Sequence, residues 1–354
     1  MITGKPQLIN EYNKSLITSI ISENGPISKP ELADITKLSL PTVNKIVDQL
    51  VENQMLRISA VTSHGVGRKA KMYIINEESA YVIVLYFLND HFIISEYNII
   101  GVQKRTEKIF INNASLEGAL QDIFSVLDVY VSEQKDKLKM IGLGIPGVVN
   151  EEGMVTSIPL IPSWESKNIG QYIEDRYGIK TIVENDVKTM TLGFYSKYLS
   201  KQYKNIVFIY AGSGLGSGII INKKLYKGFS NFAGEYGYMQ WNEKTNYESM
   251  SKKLIKKIGM DNIEAITEYK KLLSRAIISF ITVLNPEVIV LKGVLIDYDV
   301  VSSIKSHVEK IIPQTCMPKF ILDNEKDDGE FGVMQMCVSE IMSKIKVIKQ
   351  SQYV

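Results

Sequence analysis

The 354-residue sequence predicts an α/β chain: a small helical head ending in a β-hairpin, then a longer body of strands and helices. Three observations predict this. Two capping patterns and a Gly-Pro stop divide the first fifty residues into short helices. From about residue 80, apolar β-branched runs alternate with segments of helical period. Finally, "FIYAGSGLGSGIIINKKLYKG" (residues 208–228) sets a glycine loop between two strand-like runs, Ile206–Tyr210 and Ile219–Ile221. Glycine loops that cradle phosphates in nucleotide-binding fingerprints open into a helix, so this one reads instead as a hairpin.

Length suggests two or three domains. A hydrophobic content of 45% and a charged content of 23% fit a soluble globular chain. No apolar run reaches the roughly 18 residues of a bilayer span. "MITGKPQLINEYNKS" lacks the basic-then-apolar form of a secretory signal. The two cysteines, Cys316 and Cys337, are too few for a disulfide framework or a CxxC metal site. Together these features predict a cytoplasmic protein in a reducing compartment, without a membrane segment. The net charge of +2 is uneven: residues 1–76 hold nine Lys/Arg against six Asp/Glu, or +3. A basic head on a near-neutral body suits a nucleic-acid partner.

In the head, Leu16, Ile17, Ile20 and Ile21 recur at helical spacing up to Asn24-Gly25-Pro26. Ser28 and Glu31 form a capping box for a second helix to about Lys37, which should bury Leu32, Ala33 and Ile35. Ser39 caps a third helix with Val43, Ile46, Val47, Leu50 and Val51 inside. Its other face shows Thr42, Asn44, Lys45 and Gln49, side chains that can reach base edges or phosphates. Two short helices joined by a tight turn make a helix-turn-helix. "LRISAVT" and "KMYII", around "SHGVGRKA", would then form a β-wing with Arg68, Lys69 and Lys71 near its tip.

In the body, polar residues that interrupt apolar runs carry the information. "KTIVEND" ends a strand on Asn185 and Asp186; Glu235 sits in "GEYG" and Glu248 in "NYES". Carboxylates around a cleft suit polyol recognition, since each accepts several hydroxyl protons. Taken singly, an Asp after a strand is more often a helix cap. A long helix over Ile263–Leu284 leads to the buried strand "PEVIVLKG".

Together the segments resemble the ROK family, sugar-related repressors and sugar kinases. "NKSLITSIISENGPISKPELADITKLSLPTVNKIVDQLVENQML" and "GVGR" resemble the winged helix of its repressors. "GLGIPGVV", "VENDV", "AGSGLGSGIIINKKLYKG", "AGEYGYM" and "LNPEVIVLKG" follow in family order. The resemblance implies a winged helix-turn-helix over residues 1–76 and a body over 77–354 with the two-lobed actin/hexokinase-like (ribonuclease H-like) fold. One lobe would span about 77–185 plus a C-terminal segment, the other about 186–320. It also implies sugar contacts from Asn185, Asp186, Glu235 and Glu248, with Gly147 and Gly214 lining the cleft by backbone approach.

Three departures from the family pattern shape the reading. "LYFLNDHFI" stands where the kinases carry a DxGGT phosphate loop, so no nucleotide is expected and the glycine hairpin becomes scaffold. Tyr238 replaces the zinc-binding His, and "QWNEKTNYES" replaces the cysteine cluster. His64, His91 and His307 lie elsewhere, so neither zinc nor another cofactor is expected. The Tyr238 hydroxyl could meet the sugar, or its ring could serve as packing. The expectation is a non-enzymatic, homodimeric repressor of carbohydrate-utilisation genes (xylose metabolism among them), with a palindromic operator and a sugar effector as partners. A sugar kinase with an appended DNA-binding head, and a regulator blind to effectors, remain open alternatives.

Overall fold

A computed structural model describes residues 6–62, 70–88, 90–112, 114–158, 160–260, 262–325 and 328–344. The head holds α1 (Pro6–Asn24), α2 (Lys29–Thr36) and α3 (Leu40–Glu52). The Ser28–Glu31 capping box is formed, and Ser39 caps α3 by accepting from the Thr42 amide. Leu56–Thr62 and Ala70–Ile75 pair antiparallel as the wing, with Ile27–Ser28 on its other edge. Ile17, Ile21, Leu32, Val43, Val47 and Leu50 share one core. Ile35, expected inside, is 53% exposed. The helix is only eight residues long and ends as Lys37 turns left-handed (φ 59), leaving Leu32 and Ala33 as its inward side. Arg68 and Lys69 lie outside the described residues.

The body repeats one topology twice. In the first lobe, Tyr81–Leu88, His91–Asn98 and Gln103–Phe110 form an antiparallel meander. Leu138–Ile145 and Thr181–Asn185 add in parallel, after α4 (Leu116–Gln134) and flanking α5 (Ile169–Tyr177). In the second lobe, Ile206–Ala211, Leu215–Ile221 and Lys224–Leu225 form the meander, and Val288–Gly293 and Lys319–Leu322 add in parallel. The glycine stretch is the hairpin its flanking runs predict. The polar edge strand Gln103–Phe110 escapes sequence reading because Ile109 is its one buried side chain.

The helix after each sheet crosses to the opposite lobe. α6 (Asp186–Phe194) leaves the first sheet and packs Val187, Met190 and Phe194 on Phe208, Ile220 and Val290 of the second. Then follow α7 (Tyr247–Ile258), α8 (Ile263–Leu284), α9 (Tyr298–Val308) and α10 (Asp328–Lys344). α10 leaves the second sheet and packs Val333, Met334 and Cys337 on Val82, Val84 and Met140 of the first. Where α6 and α10 cross, a Cβ on Gly193 would lie 1.8 Å from the Asp328 carbonyl oxygen, and one on Gly332 would lie 1.9 Å from that of Thr189. Only glycine allows this approach. Beyond the crossing, Val338, Ile341 and Met342 of α10 pack against the head's core.

Candidate functional site

Between the lobes lies a cavity of about 670 Å³. Its floor is the junction of Thr181–Asn185 with α6. Asn185 is the N-cap: its Oδ1 accepts from the Lys188 amide at 3.0 Å, and its Nδ2 donates to the Gly147 carbonyl and to Asp186 Oδ1. The side-chain polar atoms of Asn185 thus each have a partner within the protein. Asp186, relieved of capping, accepts from the Val187 amide at 2.8 Å and lines the cavity. Gly147, at φ 116, takes a conformation few side chains permit, and it lines the wall.

Glu235 faces Asp186 from the second lobe. Behind it lies Lys188, a lysine without solvent exposure, which sequence reading did not single out. Its Nζ donates to the carbonyl and Oδ1 of Asn231 and stands 4.0 Å from Glu235 Oε1. Asn231 Nδ2 donates across the lobes to the Val149 carbonyl and to Glu184 Oε1. Lys227 pairs with Glu184 at 2.5 Å. A lone cation beside Val187 and Met190 was the one available sequence signal for this network.

Glu248 sits in the first turn of α7, positioned by the Asn246 cap. Its Oε2 accepts from the Leu215 amide at 2.8 Å, and its Oε1 pairs with Lys252 at 2.9 Å. The glycine loop therefore carries an internal carboxylate on one of its amides, beside Gly214, which lines the cavity. Tyrosines fill the space next to it. A Cβ at Gly212 would meet the Tyr210 hydroxyl at 2.2 Å, and Cβ atoms at Gly144 and Gly329 would meet Tyr86 at 2.5 and 2.1 Å.

Tyr238 hydrogen-bonds Ser157 Oγ at 2.8 Å, across the mouth of the cleft, and its ring meets Phe232 edge-on. Ser157 and Ile158 donate their amides to Glu165, a further cavity residue. No sequence pattern marks Ser157 or Glu165. Among the described residues, no group of three His, Cys, Asp or Glu is placed to hold a metal.

Burial pushes Asp186 up to about 7, opposed by the Val187 amide and reinforced by the charge of Glu235. Burial likewise raises Glu235 to about 7, with Lys188 opposing and Glu184 and Glu248 adding to the shift. A ligand that donates hydroxyl protons to these carboxylates needs them ionised. It should bind weaker at about pH 6 than at about pH 8 by roughly tenfold for each carboxylate it needs, about a hundredfold for both, as calorimetry at the two values would read. The fold responds in the opposite sense. Both groups sit above unfolded values of about 4, so the stability they contribute is fully present below about pH 4 and lost as pH rises through about 7.

On the head, Ser39, Lys45 and Gln49 are exposed and Thr42 and Asn44 half-buried, on the side of α3 away from its core. Ser39 and Thr42 bond each other through their hydroxyls at 2.8 Å, so they fix the start of α3. Lys71 is exposed on the wing strand.

A winged helix-turn-helix packed on a two-lobed body with an acidic cleft defines a DNA-binding regulator with an inter-lobe cavity. A ROK family profile matches residues 103–253, behind residues 11–57, which match a winged helix-turn-helix DNA-binding profile. The chain is 24% identical to the xylose repressor of Bacillus spizizenii, over 96% of this chain and 98% of that protein. A ROK family transcriptional regulator, a homologue of E. coli Mlc, shares its fold with a TM-score of 0.79 at 18% identity, covering 95% of this chain and 98% of its own. The ROK hexokinase of Thermus thermophilus covers 74% of this chain and 99% of its own, with a TM-score of 0.63 at 14% identity.

Proposed function

We propose that this protein is a transcriptional repressor of carbohydrate-utilisation genes whose operator affinity is set by a sugar in the inter-lobe cleft. It would act as a homodimer on a palindromic operator, each winged helix taking one half-site. Asp186, Glu235 and Glu248 would accept sugar hydroxyl protons, with Asn185 and Lys188 holding the first two in place.

The observation that carries this reading is the continuity of packing from cleft to head. α6 begins at Asp186, locks onto α10 at Gly193 and Gly332, and α10 ends against the DNA-binding core. A ligand shifts DNA affinity only by binding two arrangements unequally, and a typical coupling of about 1–3 kcal/mol gives roughly 5–150-fold. Lobe closure around a sugar would turn α6, and with it α10 and the head.

The kinase alternative needs a nucleotide beside the sugar. Tyr86 and Tyr210 crowd that side, and Glu248 occupies the Leu215 amide of the glycine loop. A cavity lined by acceptors argues against the effector-blind alternative.

The test is an operator titration with and without a panel of sugars, paired with an assay for sugar phosphate formation from ATP. Operator affinity should change with one sugar, and no sugar phosphate should appear. Lys45→Ala should make the slope of log K against log salt shallower by about 0.9, whereas Asn44→Ala should cost about 1–3 kcal/mol at the operator only. Equal weakening of operator and random DNA by Asn44→Ala would sink the assignment of the reading face.

A further inference from the structure

The cleft's charge and the occupancy of its amides bear on the chemical class of the ligand. Four carboxylates line the cavity, from Glu165, Asp186, Glu235 and Glu248, and among the described lining residues the one cation is Lys252. That cation is already paired with Glu248 at 2.9 Å. Lys188, beneath the floor, is unexposed and bound to Asn231. Lys227 is held by Glu184. No lysine or arginine among the described lining residues is left to meet an anion.

The backbone tells the same story. A helix N-terminus and a glycine loop are the usual peptide seats for phosphate. Both border this cavity, and four of their amide donors are taken by the protein's own groups. The Val187 amide goes to Asp186 and the Lys188 amide to Asn185. The Leu215 amide goes to Glu248, and the Gly212 amide to the Gly214 carbonyl. On the facing wall, the Ser157 and Ile158 amides go to Glu165. Carboxylates thus sit where a phosphate would, and what they present to the cavity is more acceptor oxygen.

Hydroxyl donors fit such a surface, and a phosphate dianion does not. We propose that the effector is an unphosphorylated sugar and that the carboxylates on these amides exclude its phosphate ester. This rests on the reading of the cleft as the effector site and narrows it to one chemical class.

The experiment is calorimetry on the full chain with D-glucose, N-acetyl-D-glucosamine and D-xylose, each matched with its terminal phosphate ester. It is run at about pH 8, where Asp186 and Glu235 are ionised, and at about 0.05 and 0.5 M salt. At least one free sugar should bind, its ester at least about tenfold more weakly. Added salt should narrow that gap by strengthening the ester alone, because screening acts on the charge. Glu248→Gln keeps an acceptor for the Leu215 amide and removes one charge, so it too should narrow the gap. An ester that binds as tightly as its free sugar, or a gap indifferent to salt and to Glu248→Gln, overturns the charge argument while the cleft remains a sugar site. If none of the six compounds binds, the cleft reading itself falls and takes the proposal with it.

Discussion

Asp186→Ala should weaken sugar binding by roughly 10- to 150-fold, the equivalent of a charged hydrogen bond of about 1.5–3 kcal/mol. Operator affinity without sugar should stay close to wild type. The geometry sharpens this expectation. Asn185, not Asp186, caps α6, so removing the carboxylate leaves the helix start intact. The lost side chain accepts from the Val187 amide and the Asn185 side chain, both at the cavity floor, where water can replace it. From α6 the DNA-binding core is reached at the far end of α10, well away from Asp186, and Ala80 and Ile99 of the first lobe also join it. The mutant should therefore behave as a repressor that its sugar no longer controls, in whichever direction control runs, since coupling requires occupancy. Operator titrations on both proteins, with and without the sugar, would read this. An unchanged sugar response in the mutant would remove Asp186, and the cleft with it, from the effector site.

Gly332→Ala should destabilise the protein by about 3 kcal/mol or more, among the larger effects of a single methyl group. The added carbon would lie 1.9 Å from the Thr189 carbonyl oxygen and 3.1 Å from the Gly193 amide nitrogen. These are backbone atoms of α6, so no side-chain rotation relieves the contact and the two helices must separate. Gly193→Ala, on the other partner, meets the Asp328 carbonyl at 1.8 Å and should cost a similar amount. Gly259→Ala is the control. It ends α7 at φ −61, and its nearest contacts are at 3.6 and 3.7 Å, so its effect should stay within about 0.5 kcal/mol. Denaturant unfolding of the three variants would measure the series. Should Gly332→Ala unfold like Gly259→Ala, the close crossing is not as described and the proposed route from cleft to head loses its central joint.

Much of the head was legible because its determinants are local. The Ser28–Glu31 box, the Ser39 cap and the inner stripe of α3 span three to eight residues each and carry their own period. The glycine hairpin was readable for the same reason: two β-branched runs flank it, and no helical pattern follows. Ile35 was misplaced because periodicity gives a face but not its width, and an eight-residue helix has little inward surface. The polar strand Gln103–Phe110 was invisible, since an edge strand with one buried residue has no apolar alternation to read.

In the cleft, the sequence alone determined the residue types, their order and the glycines. It did not determine which atoms were free. An isolated Asp after a strand reads more often as a cap than as a ligand contact, and the structure gives the cap to Asn185 and leaves Asp186 lining the cavity. Glu248 reaches the Leu215 amide from 33 residues away, Tyr238 bridges to Ser157 from 81, and Asn231 spans 82 to the Val149 carbonyl. Hydrogen bonds at such separations leave no period in the chain, because they follow from how two lobes fold against each other. The crossing of α6 and α10 has the same origin: Gly193 and Gly332 lie in separate helices, and what makes each of them necessary is the backbone of the other. The sequence therefore specified the local elements and their chemistry, while tertiary packing decided which carboxylates face the cavity, which amides they occupy, and how the cleft is joined to the DNA-binding head.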